Sequence, residues 1–387
     1  MRDVQARALA YRDEFPVLKQ QTYLISASLG PLSNRSRRYV EEFLDLWASV
    51  GSPDVVWFED IFPTYDRIRA LLAGMINARP HEVALASNIS QALSSVASFF
   101  DYGARPRVVI SELDFPTDHH VWKAQARRGV EVVTVPSRDG ITITTEDYLA
   151  AIDERTQLVQ VNRVLYRSGA ILDLPAIAAR AHEAGAYVLV DDFHGAGVLP
   201  LDVWAAGADF YTTGVLKWLM GGGGLSFLVV RADLIGRFES QVTGWWANKP
   251  ESYFDSERDL AADARRFEHG TTAGPVAYLA LGGLEIVAEL GVDAVRARHM
   301  ELSSYVVARA DAAGLTIASP RAAEQRGGMV RIPVGDSKRM WRELLDRKIV
   351  LDERAGGLRV APHFFNTTEE IDVLFDALEQ LGARSPA

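Results

Sequence analysis

The chain has 387 residues, 48% of them hydrophobic and 24% charged, so it carries material for a sizeable core and is not a disordered polymer; at roughly 150 residues per domain the length suggests two or three domains. Its 41 basic and 51 acidic residues give a formal charge of −10 with no basic block, which points away from nucleic acid and from an anionic membrane surface as partners. It has no cysteine, which excludes disulfides, thiolate metal sites, thiol nucleophiles and persulfide carriers.

No apolar run approaches the ~18 residues of a membrane span. The start, MRDVQARALAYRDEFP, is charged throughout and lacks a signal-peptide stretch, so the expected setting is a bacterial-type cytoplasm. After TYLISASLGPL, helical spacing of apolar residues predicts helices over 36–50 and 63–76. An alternation then begins. Strands are expected at EVALAS (82–87), RVVISE (107–112), EVVTVP (131–136), TQLVQVNRV (156–164), AYVLVDD (186–192), DFYTTG (209–214) and LSFLVVR (225–231). Helices are expected at 89–100, 117–129, 144–153 and 174–185, with a short one at 202–207. Continuously apolar strands alternating with helices imply an α/β fold with a mostly parallel central sheet covered on both faces. From about residue 250 the rhythm breaks. A long helical segment around 275–313 leads to LTIAS, GGMVRIPV, a helix at 336–348, IVLDE, GLRVAP and a closing helix at 367–381, the pattern of a smaller α+β domain.

Ligands of open α/β sheets bind beyond the carboxyl ends of the strands. The polar residues there are Ser87, Asn88, Glu112, Asp114, Asn162, Asp191, Asp192, His194, Thr212 and Thr213. Lys217 follows closely, flanked by Leu216, Trp218 and Leu219; it is one of only six lysines against thirty-five arginines. Apolar surroundings lower a lysine's pKa, and a neutral amine forms Schiff bases with aldehydes. The competing reading is a lysine that reaches water along an apolar patch. Asp191 closes a buried strand and needs a partner there. The protonated ring nitrogen of pyridoxal phosphate would be one, and His194 could donate to that ring's phenolate oxygen. Alternatively Asp191, Asp192 and His194, with His119 or His120, have the ligand types of a metal-dependent hydrolase. At ASNISQA, where strand passes into helix, the amides of Ile89 and Ser90 and the Ser90 hydroxyl would face an anion, or Ser87 or Asn88 is merely an N-cap. Gly221–Gly224 matches no phosphate-loop pattern and would let the chain turn beside a cofactor. Arg359, on the predicted strand GLRVAP, could clamp an α-carboxylate or be an ordinary strand arginine.

Taken together, YLISASLGPL, ASNISQA, ELDFPTDHH, VNRVLYRSGA, VLVDDFHGAG, DFYTTGVLKWLMGGGG, RRFEHGTT and GLRVAPHFFNTTEEID resemble the aminotransferase class V family of pyridoxal-phosphate enzymes, fold type I, over nearly the whole length. The FPTDHH and TGWW segments are similar to kynureninase; the NTTEEID ending is closer to cysteine desulfurases and epimerases. The resemblance implies an N-terminal segment (1–20) packing with the small domain, a large cofactor-binding domain (21–270) and a small α+β domain (271–387). It implies a homodimer with interface active sites. Lys217 would carry the cofactor as a Schiff base, Asp191 would pair with the ring nitrogen and His194 with the phenolate oxygen. Ile89 and Ser90 would bind phosphate, Phe115 would stack on the ring with Asp118 nearby, and Asn162 would face the phenolate side. Thr271 would reach the phosphate of the neighbouring subunit, with Trp245 or Trp246 lining that region, and Arg359 would take the substrate carboxylate. Kynureninases carry tyrosine immediately before the lysine and cysteine desulfurases carry histidine; here the residue is Leu216, and Thr212, Thr213 or Trp245 would have to compensate as phosphate anchors. The expected function is therefore a β-eliminating lyase or an aminotransferase acting on an α-amino acid. Kynureninase-like hydrolysis and epimerisation are the alternatives within the family; outside it stand a metal-dependent hydrolase and a non-catalytic binding protein.

Overall fold

In the computed structural model, which describes residues 2–49 and 51–386, the seven apolar stretches form one sheet. Its strands are β1 (Val83–Ala86), β2 (Arg107–Ser111), β3 (Glu131–Val135), β4 (Thr156–Asn162), β5 (Tyr187–Asp191), β6 (Phe210–Gly214) and β7 (Ser226–Val230). They lie in the order β1-β7-β6-β5-β4-β2-β3. Only β7 runs against its neighbours, β1 and β6; the other pairs are parallel.

Successive strand residues point to opposite faces. Val159, Val161, Val188 and Val190 join Leu72 and Ile177 in one apolar cluster, whereas Leu158 and Leu189 join Leu93, Val96 and Phe100 in another. Two buried faces require apolar residues at both parities, which is why these strands read as unbroken apolar runs. β3 closes the edge, and there Glu131 and Thr134 are exposed.

The helices between strands form over Ile89–Ala97, Pro116–Ala124, Thr145–Ala151 and Leu174–Glu183, after two earlier ones, Asn34–Ser49 and Phe62–Ile76. Val50, the last residue of the first predicted helix, lies outside the described residues. The short helix expected at 202–207 is instead a set of turns. The Asp202 carboxylate accepts from the Ala205 amide, and Gly207 at φ +86° turns the chain away. The long helical segment is also two helices, Gly274–Leu290 and Val292–Ala312, which meet at 85°. Gly291 makes the corner, at φ +86°. Among the described residues no single helix is long and apolar enough to cross a membrane.

Beyond that corner, β8 (Val330–Pro333), β9 (Asp352–Arg354) and β10 (Gly357–Val360) form an antiparallel sheet in the order β9-β10-β8. Its core gathers Leu302, Val306, Ile332, Leu344, Val360 and Leu374. The start of the chain is stitched to this part. Thr22 and Tyr23 pair in parallel with Ile349 and Val350, Ile25 bridges to Ala361, and Arg12 forks onto Glu370 at 2.8 and 3.1 Å.

Between the two sheets lies a buried imidazole pair. His363 Nε2 donates to the Trp218 carbonyl at 2.9 Å, so its Nδ1 is the acceptor, and it faces His299 Nε2 at 2.9 Å. Burial pushes His363 down to about 3 and holds His299 well below the usual histidine range, with the neighbouring His363 adding to the depression. The unfolded chain takes these protons near pH 6.5 and the native state does not, so this pair costs stability as pH falls from about 6.5 toward 3, by up to about 1.4 kcal/mol per pH unit and site. His363→Asn does not titrate. Its Tm deficit against wild type is expected to narrow between pH 7 and pH 4.5; a constant deficit in thermal melts contradicts the assignment.

Candidate active site

Every strand that ends in a candidate residue delivers it to one edge. β2 ends beside Asp114, β4 in Asn162, β5 in Asp191, and β6 leads into the turn that carries Lys217. That turn is fixed by close packing. A Cβ on Gly30 would lie 2.0 Å from the Lys217 carbonyl oxygen, and one on Gly283 would lie 2.1 Å from that of Leu219. Neither position tolerates a side chain. Gly30→Ala is expected to displace the turn at a cost of about 1–3 kcal/mol, read as a lowered Tm together with weaker retention of the cofactor named below.

The Lys217 amine is enclosed by protein, and the residue keeps only partial exposure. Its Nζ lies 2.6 Å from His194 Nε2, 4.2 Å from the centre of the Phe193 ring and 5.5 Å from that of Phe115. Burial, reinforced by the charge of Arg359, pushes the amine down to about 7 against the pull of Asp191, Asp352 and Asp118. Lys217 is therefore neutral in a large fraction of molecules near neutral pH. His194 is buried, and burial together with the Lys217 charge holds it well below the histidine range, so it is the neutral imidazole.

Asp191 is buried and accepts from the Phe193 amide at 2.9 Å. Burial raises it to about 6. Asp114 and Asp118 stand nearby, also buried and raised, Asp114 to about 7 by burial and Asp118 by burial and then by the Asp191 and Asp114 charges. Asn162 donates to Asp118 at 2.8 Å, and Ser111 donates to Asp114 from both hydroxyl and amide. This concentration of raised carboxyls at a strand edge is the electrostatic signature of a functional cleft.

Asp192, by contrast, is consumed. Arg163 forks onto it at 2.8 Å in both contacts and the Tyr211 hydroxyl adds a third. His194 is engaged with Lys217, and His120 is exposed on its helix. Among the described residues no three His, Asp or Glu side chains are placed to share a metal ion, so the alternative metal cluster is not assembled. Thr212 and Thr213 are spent as well, their buried hydroxyls donating to the carbonyls of Phe227 and Asp192. The expectation that they anchor phosphate does not hold.

Asn88 caps the helix Ile89–Ala97, its side chain accepting from the Gln91 amide. The amides of Ile89 and Ser90 precede any intrahelical acceptor and remain open to an anion, and the Ser90 side chain is exposed beside them. Phe115 packs edge-to-face with Tyr166 and is still 42% exposed, which leaves ring surface available for stacking. The glycine run serves packing more than the cleft: a Cβ on Gly221 would strike Val215 and Ala280, and Gly222 and Gly224 take φ +74° and +102°.

Thr271 and Trp245 are both exposed, and Glu268, three residues before Thr271, binds Arg69 at 2.6 Å and the Leu85 amide at 2.9 Å. Trp246 is buried among Trp57, Phe62 and Tyr65 and is core. Arg359 is buried and its charge reaches Lys217, but it is not a bare strand arginine: it bonds Asp352, Ser28 and the Tyr166 carbonyl. Asp352, Ser28, Tyr166 and Phe193 were absent from the sequence-based site. Only the Ala355–Gly356 turn signal, which sets Asp352 opposite Arg359, could have found the first of them.

The residues fit pyridoxal phosphate. A depressed amine, a strand-end carboxylate, a neutral imidazole whose Nδ1 has no partner, an unpartnered Asp118 Oδ1, an exposed aromatic ring and an open helix start converge on one cleft.

The aminotransferase class-V family model matches residues 32–374. The "uncharacterized aminotransferase YcbU" of Bacillus subtilis (strain 168) is 33% identical over 97% of this chain and 97% of its own length. The kynureninase of Bacillus anthracis is 30% identical over 93% of this chain and 88% of its own. A solved cysteine desulfurase from Thermococcus onnurineus NA1 superposes with a TM-score of 0.86 at 20% identity, covering 96% of this chain and 97% of that one. That last likeness establishes the fold, and the first two the lineage: this chain belongs to the aminotransferase class V family and is a pyridoxal-phosphate-dependent enzyme of fold type I.

Proposed function

We propose that the enzyme acts on an α-amino acid, either as an aminotransferase or by eliminating a leaving group from Cβ, with Lys217 as its proton carrier. The observation that supports this most is the amine itself: pushed down to about 7, enclosed, and within reach of the Arg359 charge. Bound pyridoxal phosphate supplies the electron sink that acidifies Cα. Arg359 holds the substrate carboxylate, which presents Cα to Lys217. Lys217 takes the Cα proton and can return it elsewhere. Asp191 would hold a proton on the cofactor's ring nitrogen, His194 and Asn162 would face its phenolate oxygen, Phe115 would cover its face with Asp118 beside it, and Ile89 and Ser90 would bind its phosphate.

Leu216 favours chemistry that needs one mobile proton carrier. Its side chain rests near Gly223 and offers no hydroxyl or imidazole beside the lysine. Hydrolytic cleavage of a side chain needs a further acid or base there. A panel of L-amino acids assayed with and without a 2-oxo acid separates the outcomes. Elimination gives pyruvate and ammonia with no acceptor; transamination requires the acceptor and releases no ammonia. Anthranilate from L-kynurenine, or racemisation without either product, would overturn the proposal.

The working unit we propose is a homodimer. Leu44, Trp47, Phe58, Trp245 and Phe254 are all exposed, Phe254 by 84%. Trp47 stacks on Phe43, which packs on Gly274, Trp245 stacks on Phe254, and Tyr65 binds the Thr272 carbonyl between them in sequence. Exposed aromatics at this density mark a protein interface, and burying them would carry Thr271 and Trp245 into a partner's cleft. Trp47→Glu combined with Phe254→Glu is expected to sediment as monomer and to lose most turnover. A wild type that sediments as monomer contradicts it.

A further inference from the structure

Asp352 and Arg359 face each other across the β9–β10 hairpin, and their side chains are 6% and 2% exposed. Arg359 Nη2 lies 2.5 Å from Asp352 Oδ2, and the Ser28 hydroxyl donates to that same oxygen at 2.5 Å. Nη2 also meets Ser28, Nη1 donates to the Tyr166 carbonyl, and Nε has no partner among the described residues. A guanidinium this deeply buried needs an anion while no ligand is bound, and Asp352 is that anion.

A carboxylate ligand meets a conflict here. Both bidentate edges of a guanidinium, Nε with Nη2 and Nη1 with Nη2, use the nitrogen that Asp352 holds. Two carboxylates on one nitrogen repel each other. A second cation stands ready: Arg354, two residues along and so on the same face of the sheet. Its Nη2 lies 3.3 Å from Asp352 Oδ1, and its side chain is 46% exposed. Asp352 and Arg354 also line an open cleft of about 500 Å³ with Ile25 and Trp341, which gives the carboxylate room to turn.

We propose that Asp352 is a displaceable stand-in for the substrate carboxylate. The incoming carboxylate takes Arg359, and Asp352 passes to Arg354. Asp352 is thus a positioning residue that keeps Arg359 aimed in the empty enzyme and competes with every carboxylate that enters. The proposal rests on the reading of Arg359 as the carboxylate site.

The test uses cofactor-loaded enzyme, with L-alanine and ethylamine as probes and the absorbance of the bound cofactor as the readout. Ethylamine is an amine without the carboxylate. Asp352→Asn removes the competing charge and is expected to tighten L-alanine about five- to tenfold, whereas Arg354→Gln removes the acceptor of Asp352 and is expected to weaken it about threefold. Ethylamine should respond to neither. Opposite signs are the signature, since a purely structural pair loses affinity in both variants. Weaker L-alanine binding in Asp352→Asn, or an equal shift for ethylamine, overturns the proposal. Arg354 is half-exposed, so its variant should fold even where Asp352→Asn does not; unchanged L-alanine binding in Arg354→Gln overturns it independently. Arg359→Gln is the control for the underlying reading. If it leaves L-alanine unchanged, the carboxylate site lies elsewhere and both ideas fall; if it weakens L-alanine more than tenfold while the other two variants fail, only the displacement falls.

Discussion

Lys217→Ala is expected to purify without the visible absorbance of the cofactor and to lose turnover by at least about 10³-fold. Nothing else in the cleft can substitute. His194 is held neutral by burial, and the remaining nearby cations, Arg359 and Arg354, are guanidiniums that do not give up a proton near neutral pH. Lys217→Arg should fail equally, because it restores charge without nucleophilicity. The wild type carries a pH signature of the same group. With the amine at about 7 in the cofactor-free protein, its reactive fraction grows as pH rises through that value, so the rate at which the apo protein captures added pyridoxal phosphate should climb from pH 6 to pH 8 and then level. Full cofactor absorbance in Lys217→Ala after dialysis would remove the basis of the functional assignment.

Asp191→Asn should separate activity from stability. The asparagine oxygen can still accept from the Phe193 amide, so the strand end is preserved. On the proposed reading the asparagine could no longer hold a proton on the ring nitrogen, and turnover is expected to fall by about 10²- to 10³-fold. The native protein bears a desolvation cost at this buried carboxyl, visible as its rise to about 6. Removing the charge should therefore leave Tm unchanged or raise it. Equal losses of Tm and turnover would show that Asp191 serves the fold instead of the chemistry.

Much of this was legible in the residue order. The seven strands could be read because both faces of the sheet are buried over most of their length, so apolar residues occupy both parities, and turn residues mark the ends. Asp191 stood out as a carboxylate that ends a buried strand, and Lys217 as a rare lysine between apolar neighbours. What failed had a local physical cause. The stretch 275–313 has helical periodicity on both sides of Gly291, and only its positive φ, invisible in periodicity, sets the 85° corner. Thr212 and Thr213 look available in sequence but turn their hydroxyls onto neighbouring carbonyls. Asp192 differs from Asp191 by one position, and the parity of the strand sends it to Arg163 on the opposite face. The partner of Arg359 lies seven residues away and is set by hairpin register, a relation that a search of strand ends does not test.

The parallel pairing of Thr22–Tyr23 with Ile349–Val350 has a consequence for biosynthesis. Thr22 and Tyr23 must wait for residues made more than 300 positions later before these hydrogen bonds exist. The large sheet needs only residues 83–230 and can assemble on the nascent chain, whereas the smaller unit can close only after residues 349–360 have been made. Until then Leu24, whose place is in that unit's interior, stays uncovered, and it is in this interval that the growing polypeptide depends most on protection from aggregation.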